Sequence, residues 1–229
     1  VTAVKICAVS REQKAILREY GLEPARLRGV AACSYARGEY ICLAGFPLRA
    51  LFIVVSGRAK VSFSAENGRS LLLGFYQDGG LIGDLEFMTG SDTAHMGVQA
   101  VTPATCLSVP IAENDAELRE NTAFLLCAGN GLAKKLGSSN ESCAQIILYP
   151  LETRLCSYIA ATAEDGCFRE KLTETAELLG ASYRHLMRAL AGLCDRQLLE
   201  KRGGAYYIRD RDALIAAGMG LYMTGNIPC

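Results

Sequence analysis

The chain has 229 residues, half of them hydrophobic and 21% charged, which suits two ordinary domains with proper cores and excludes a disordered or fibrous protein. Its 24 basic and 24 acidic residues cancel, so it is not a protein that coats nucleic acid indiscriminately. No apolar run reaches membrane-spanning length and the start lacks the layout of a signal peptide, so the expected setting is cytoplasmic with no membrane partner.

In chain order, Ser10 and Gln13 form a capping-box pattern ahead of Ala15, Ile16 and Tyr20, and Gly21 stops the short helix they predict. From about Val30 to Pro110 the pattern changes to short apolar runs (YICLA, LFIVVSG, AKVSFS, SLLLGFY, CLSV). Turn residues separate them at Gly38, Gly45, Gly57, Asn67-Gly68 and Gly79-Gly80, the spacing of a many-stranded sandwich or jelly roll. Asp84 and Glu86, two apart, are read as sharing one face of an extended strand, with no nucleophile or base nearby. Helical character returns over roughly Glu113 to Leu148, where Leu125, Leu132 and Ile146 fall seven or fourteen apart and Gly129, Leu136 and Cys143 follow on a second seam. Such a seam suits pairing with a second copy, although Ser139 interrupts it, and packing on its own domain is the alternative. Tyr149-Pro150 is a natural hinge, and Leu151, Leu155, Tyr158 and Ile159 open the next domain before Asp165-Gly166 turns the chain. These boundaries give three parts: 1–111, 112–149 and 150–229.

The stretch Leu172 to Leu199 reads as two short helices hinged at Gly180, with Ala176 and Leu179 on the first and Leu186, Leu190 and Leu193 on the second. Ser182 suits the N-cap of the second helix, and the face beyond it carries Tyr183, Arg184, His185 and Arg188, long donor-rich groups where bases and phosphates are met. Leu198 to Lys201 and Ala205 to Ile208 have strand character around Gly203-Gly204, so a hairpin follows and the whole is a winged helix. From Tyr183 to Arg202 five basic residues, including Lys201 and Arg202, face two acidic ones, a local excess at the expected DNA contact. A helical hairpin with a charged outer face is the blander reading. Ala213 to Leu221 can form a last helix, and the final residues are expected to be loose.

A jelly roll, a long helix and a winged helix in that order resemble the Crp/Fnr superfamily of bacterial transcription regulators, over nearly the whole chain. Gly38-Glu39, Gly45, Leu51, Gly57 and Val61 match its early strand and turn pattern, and IGDL at Ile82 to Leu85 stands where its IGEL motif stands. ELLGASYRHLMRALAGL followed by LLEKRGGAYYIRDRDAL is most similar to the YeiL-type branch. The resemblance implies an α+β chain with an N-terminal double-stranded β-helix (a jelly roll like those that bind cyclic nucleotides), a long dimerisation helix and a C-terminal winged helix-turn-helix. It also implies a homodimer on Leu125, Leu132, Leu136 and Ile146, double-stranded DNA with a palindromic operator, RNA polymerase as a partner, and an effector pocket around Gly83, Asp84, Leu85 and His95. Ser139 and Asn140 match long-helix positions that contact the purine in cyclic-AMP-binding members, although they also serve as plain polar seam residues. In those members a glutamate holds the ribose and an arginine eleven residues after the glycine neutralises the phosphate. Here these positions hold Asp84 and Ala94, so the small-molecule effector is expected not to be cyclic AMP.

Fnr-like members hold an iron-sulfur cluster on closely spaced N-terminal cysteines; this chain offers the widely spread Cys7, Cys33, Cys42 and Cys106, and most of its ten cysteines are expected to be buried free thiols. No metal site is otherwise assigned. A cupin-type enzyme needs two or three converging histidines, whereas His95 is the one histidine of the first domain, and no catalytic residues are expected. A ligand-binding jelly-roll module without DNA-binding activity is the other alternative.

Overall fold

The computed structural model describes residues 5–64, 70–77 and 79–222, and their side chains except those of 141–143, 145, 146 and 177. The Asn67-Gly68 turn and the last seven residues lie outside that description, as does the side chain of Ile146.

A short strand, β1 (Lys5–Cys7), not marked by the sequence pattern, precedes α1 (Arg11–Glu19). The capping box forms as expected, with the Ser10 hydroxyl accepting from the Gln13 amide at 3.2 Å and the Gln13 side chain accepting from the Ser10 amide at 2.9 Å. Then come β2 (Ala31–Tyr35), β3 (Tyr40–Cys42), β4 (Ala50–Ser56), β5 (Ala59–Ser64), β6 (Ser70–Tyr76) and β7 (Leu81–Ile82). A single turn and a half of helix, α2 (Asp84–Thr89), leads to β8 (Gly97–Ala100) and β9 (Ala104–Pro110). The strands form two sheets in the orders β1-β2-β9-β4-β7 and β3-β8-β5-β6, the jelly roll.

The near-continuous apolar runs of β4 and β9 follow from burial on both faces. Ala32, Leu51, Ile53, Leu107 and Val109 face one core with Leu17, Tyr20, Leu118 and Phe124 from the helices. Cys33, Tyr35, Val54 and Cys106 turn the other way, into a second core with Ile41, Val61 and Val98. Strand alternation therefore serves two cores at once, which explains why apolar and polar residues do not alternate in β4.

The helical stretch expected over Glu113 to Leu148 is divided into α3 (Ile111–Glu120) and α4 (Thr122–Leu148). Asn121 between them is extended, at φ −85° and ψ 96°. Its side-chain oxygen accepts from the Phe124 amide at 3.1 Å, and its amide nitrogen donates to the Gly21 carbonyl at 2.8 Å. Asn121 thus caps α4 and ties its start to the end of α1.

Beyond α4 lie α5 (Leu151–Thr162), β10 (Cys167–Phe168), α6 (Leu172–Leu178), α7 (Tyr183–Asp195), β11 (Leu199–Arg202), β12 (Ala205–Ile208) and α8 (Arg211–Gly218). The last three strands pair in the order β10-β12-β11. Gly203 and Gly204, at φ 54° and 84°, make the two-residue turn of the hairpin, a conformation that side-chain-bearing residues rarely adopt. Arg154 of α5 is buried, and its guanidinium donates to the Leu179 carbonyl at the end of α6 and to the Tyr149 carbonyl at 3.3 Å. The described residues divide into two compact units, one of 5–61 with 75–77 and 79–138, the other of 62–64, 70–74 and 139–222.

Helices α5 and α8 meet backbone to backbone at Gly218, where an added Cβ would lie 2.5 Å from the Ser157 amide nitrogen. Overpacking against backbone cannot be relieved by a rotamer change. Gly218→Ala is expected to destabilise the second unit by about 1 to 3 kcal/mol, visible as a lower urea midpoint, and an unchanged midpoint would contradict this contact.

Candidate nucleic-acid interface and sensing pocket

Helix α7 separates its two faces cleanly. Leu186, Leu190 and Leu193 are fully buried and Ala189 nearly so, while Ser182, Tyr183, Arg184, His185 and Arg188 are exposed. The Ser182 hydroxyl accepts from the His185 amide at 3.2 Å, as its position predicts. Three basic or aromatic side chains thus crowd the first turn of a helix whose other side is fixed in a core, and Arg188 follows one turn later on the same exposed surface.

In the hairpin the charges are less free than their number implies. Arg202 is held by Glu200 at 2.6 Å, and Arg209 reaches the same carboxylate oxygen at 2.7 Å. Glu200 is accordingly held below the usual carboxylate range, chiefly by its hydrogen bond with Arg202. Lys201 points from the other face of the strand, its ammonium 5.8 Å from the centre of the Tyr206 ring. Lys201 thus presents its charge more freely than Arg202.

The pocket residues are organised differently from the sequence expectation. Asp84 and Glu86 lie on helix α2 and not on an extended strand, because Gly83 at φ 90° turns the chain out of β7 and lets a helix start at Asp84. Both carboxylates are buried. Glu86 accepts from the His95 backbone amide at 2.8 Å, with the His95 Nδ1 3.3 Å from the same oxygen, while the imidazole itself is half exposed. Leu85 between them is half-buried, and its amide donates to Asp84 at 3.1 Å.

Asp84 has a partner that the sequence reading missed. Lys135, from the middle of α4, donates to both Asp84 oxygens at 2.7 and 2.6 Å and to the Leu81 carbonyl at 2.5 Å. Its ammonium also lies 4.9 Å from the centre of the Tyr76 ring. Burial pushes the Asp84 carboxyl up, and the Lys135 charge opposes that shift. The signal in the sequence was only a lysine at a position that α4 turns inward, indistinguishable from its exposed neighbour Lys134.

These residues lack the free carboxylate and the cation that the resemblance assigns to cyclic AMP recognition. The carboxylate assigned to the ribose is taken by Lys135, and Gly83 is packed on the protein itself, since a Cβ there would lie 2.8 Å from the Leu48 side chain. Ala94 is buried, with its amide and carbonyl bonded to the chain around Phe46, and offers no cation for a phosphate. Losing a charged hydrogen bond of that kind costs about 1.5 to 3 kcal/mol. Calorimetry with cyclic AMP is therefore expected to show no micromolar binding, and a micromolar isotherm would contradict this reading of the pocket.

On α4, Leu125 packs partly into the first core and Leu132 is half-buried, whereas Leu136 is 64% exposed. Among the described residues the other large apolar side chains exposed on the helix are Leu126 at 63%, Ile147 and Leu148. Eleven residues make almost three whole turns, so Leu125 and Leu136 lie on the same side of α4, which the first core covers at Leu125 and leaves open at Leu136. Ser139 is half-buried and Asn140 exposed on the same helix.

Of the four cysteines considered for a cluster, Cys33 and Cys106 are direct cross-strand partners, and Cys7 is exposed on β1. Burial pushes the Cys42 and Cys106 thiols up to about 12. Among the described residues no group of three or more cysteine, histidine or acidic side chains is placed to hold a metal ion, and no helix is long and apolar enough to cross a membrane.

Comparison with known proteins agrees with this architecture. Residues 32–121 match the model of the cyclic nucleotide-binding domain. The chain is 33% identical over 185 residues to the regulatory protein YeiL of Escherichia coli O157:H7, covering 81% of this chain and 83% of that one. It is 27% identical to the CRP-like cAMP-activated global transcriptional regulator of Mycobacterium tuberculosis, over 85% and 92% of the two chains. Among solved structures, a Crp/Fnr-family protein from Eubacterium rectale superposes with a TM-score of 0.73 at 15% identity, covering 92% of this chain and 95% of that one. A CRP-family regulator from Thermus thermophilus gives 0.63 at 20% identity, over 81% and 96%. At such identities the two structures speak to the fold alone.

Proposed function

Since the chain belongs to the Crp/Fnr family of transcription regulators, we propose that it acts as a homodimer that binds a two-fold symmetric operator and regulates transcription in response to a signal other than cyclic AMP. The observation that carries this reading is the exposed, capped start of α7, with Tyr183, Arg184, His185 and Arg188 outward and a leucine row locked inward. A helix held in this way can enter a major groove, and its first turns then present donors to base edges and phosphates. Two such helices, one per subunit, would meet half-sites about one helical turn apart. The partners are double-stranded DNA, a second copy of the chain through α4, and RNA polymerase, in the cytoplasm; the chemistry is binding and not catalysis.

A mobility-shift assay with duplexes from the chain's own promoter region tests the proposal against a ligand-binding module that lacks DNA binding. A salt-sensitive shifted band supports it. Absence of any shift at micromolar protein and low salt favours the module. Lys201, whose charge is the freer of the two in the hairpin, is assigned to a phosphate. Lys201→Ala should weaken all duplexes alike and reduce the salt slope by about one, as read from binding isotherms at several salt concentrations; an unchanged slope would remove it from the interface.

A further inference from the structure

We propose that Lys135 does from within the chain what a bound effector would do, fastening α4 to the sensing pocket so that operator binding does not wait on a ligand at Asp84. The inference rests on the DNA-binding reading and deepens it.

Lys135 has three ammonium hydrogens and three acceptor contacts, the two Asp84 oxygens and the Leu81 carbonyl, so its hydrogen-bonding capacity is filled. The pair is well withdrawn from water, with the side chains 15% and 4% exposed. Breaking such a pair by removing one partner leaves an uncompensated buried charge, so it holds its geometry far more firmly than a surface ion pair. It spans 51 positions of sequence and joins the first residue of α2 to the middle of α4.

The next residue on α4 gives this fastening its consequence. Leu136 is one of the exposed apolar side chains of the helix. Consecutive residues on a helix are turned about 100° from each other, so fixing the direction of Lys135 into the pocket fixes the direction in which Leu136 leaves the subunit. A change at Asp84 would therefore rotate or lift the edge assigned to the partner subunit. In that arrangement the side chain of Lys135 provides a contact between pocket and helix that needs no small molecule.

The test uses full-length protein refolded from denaturant to remove small molecules, and an operator duplex chosen by selection. Wild type should bind that duplex with nothing added. Lys135→Met keeps the apolar stem, and Asp84 can then be protonated, so the variant should remain folded by thermal melting while its operator affinity falls roughly 5- to 150-fold. Asp84→Asn should fall comparably, and the double variant should lose no more than either single one, since both remove one interaction. Hydrogen exchange provides a readout that needs no DNA: amides of α2 and of α4 around Lys135 should exchange faster together in Lys135→Met. Wild type that binds only after a small molecule is supplied, Lys135→Met that binds as wild type, or additive losses in the double variant would each overturn the proposal. If wild type selects no duplex either refolded or as purified with its small molecules retained, the DNA-binding reading fails and carries the effector-free claim with it. If exchange of the two helices is uncoupled, the fastening itself fails.

Discussion

Replacing Arg188 with alanine is expected to cost about 1 to 3 kcal/mol per subunit and to relax base preference at one symmetric pair of operator positions. Arg188 is exposed on the outer face of α7, and the buried Leu186, Ala189 and Leu190 beside it fix the direction in which its guanidinium leaves the helix. The family resemblance matches Arg188 to an arginine that reads guanine, and bidentate geometry suits guanidinium against the two acceptors of a guanine edge. Because a dimer places the residue in both half-sites, the loss for the operator is about 2 to 6 kcal/mol if the half-sites act independently, at least about thirtyfold in affinity. By the same resemblance Arg184 falls where many members carry a glutamate, and an added donor in place of an acceptor should shift the preferred base at that step. Binding isotherms on operators varied one position at a time would check both statements. A uniform loss over all sequences for Arg188→Ala would mean that it touches phosphate and not a base.

The second large effect concerns the dimer. Leu136→Glu is expected to give monomers at micromolar concentration in sedimentation. Burying a leucine side chain contributes about 1.5 to 3 kcal/mol, symmetry counts it twice, and a carboxylate in its place adds the cost of desolvating a charge. Leu136 is a better probe than Leu132 or Leu125, which lie partly within their own subunit and whose loss would confuse folding with assembly. Weaker operator binding should follow, because two linked half-site contacts become independent ones. An unchanged dimer would move the interface to another surface.

The jelly roll, the capped α1, the two helices of the helix-turn-helix and the hairpin at Gly203-Gly204 were legible because each carries a local signal: a cap, a glycine turn or a periodic apolar row. Features set by tertiary contacts were not. The helical start at Asp84 depends on the left-handed Gly83 and on packing, and two carboxylates separated by one residue suit a strand or a helix equally well. The break at Asn121 is made by a side chain that bonds to Gly21, a contact 100 positions away that no window of local sequence contains. The pairing of Lys135 with Asp84 is tertiary in the same sense, so the pocket read from sequence held an available carboxylate where the folded chain has a satisfied one. The apolar face of α4 shows a related limit: Leu125 and Leu136 share one side of the helix, and how far along that side the jelly roll covers it is not written in the repeat.

The central claim, a dimer that reads DNA by sequence through α7 without cyclic AMP, is tested most directly by selection of binding sites from random duplexes with purified full-length protein and no added nucleotide. The predicted result is enrichment of a palindrome with half-sites about one helical turn apart, differing from the usual family site at the step facing Arg184 and losing one symmetric position of preference in Arg188→Ala. Recovery of no palindrome, or enrichment that appears only when cyclic AMP is supplied, would contradict it.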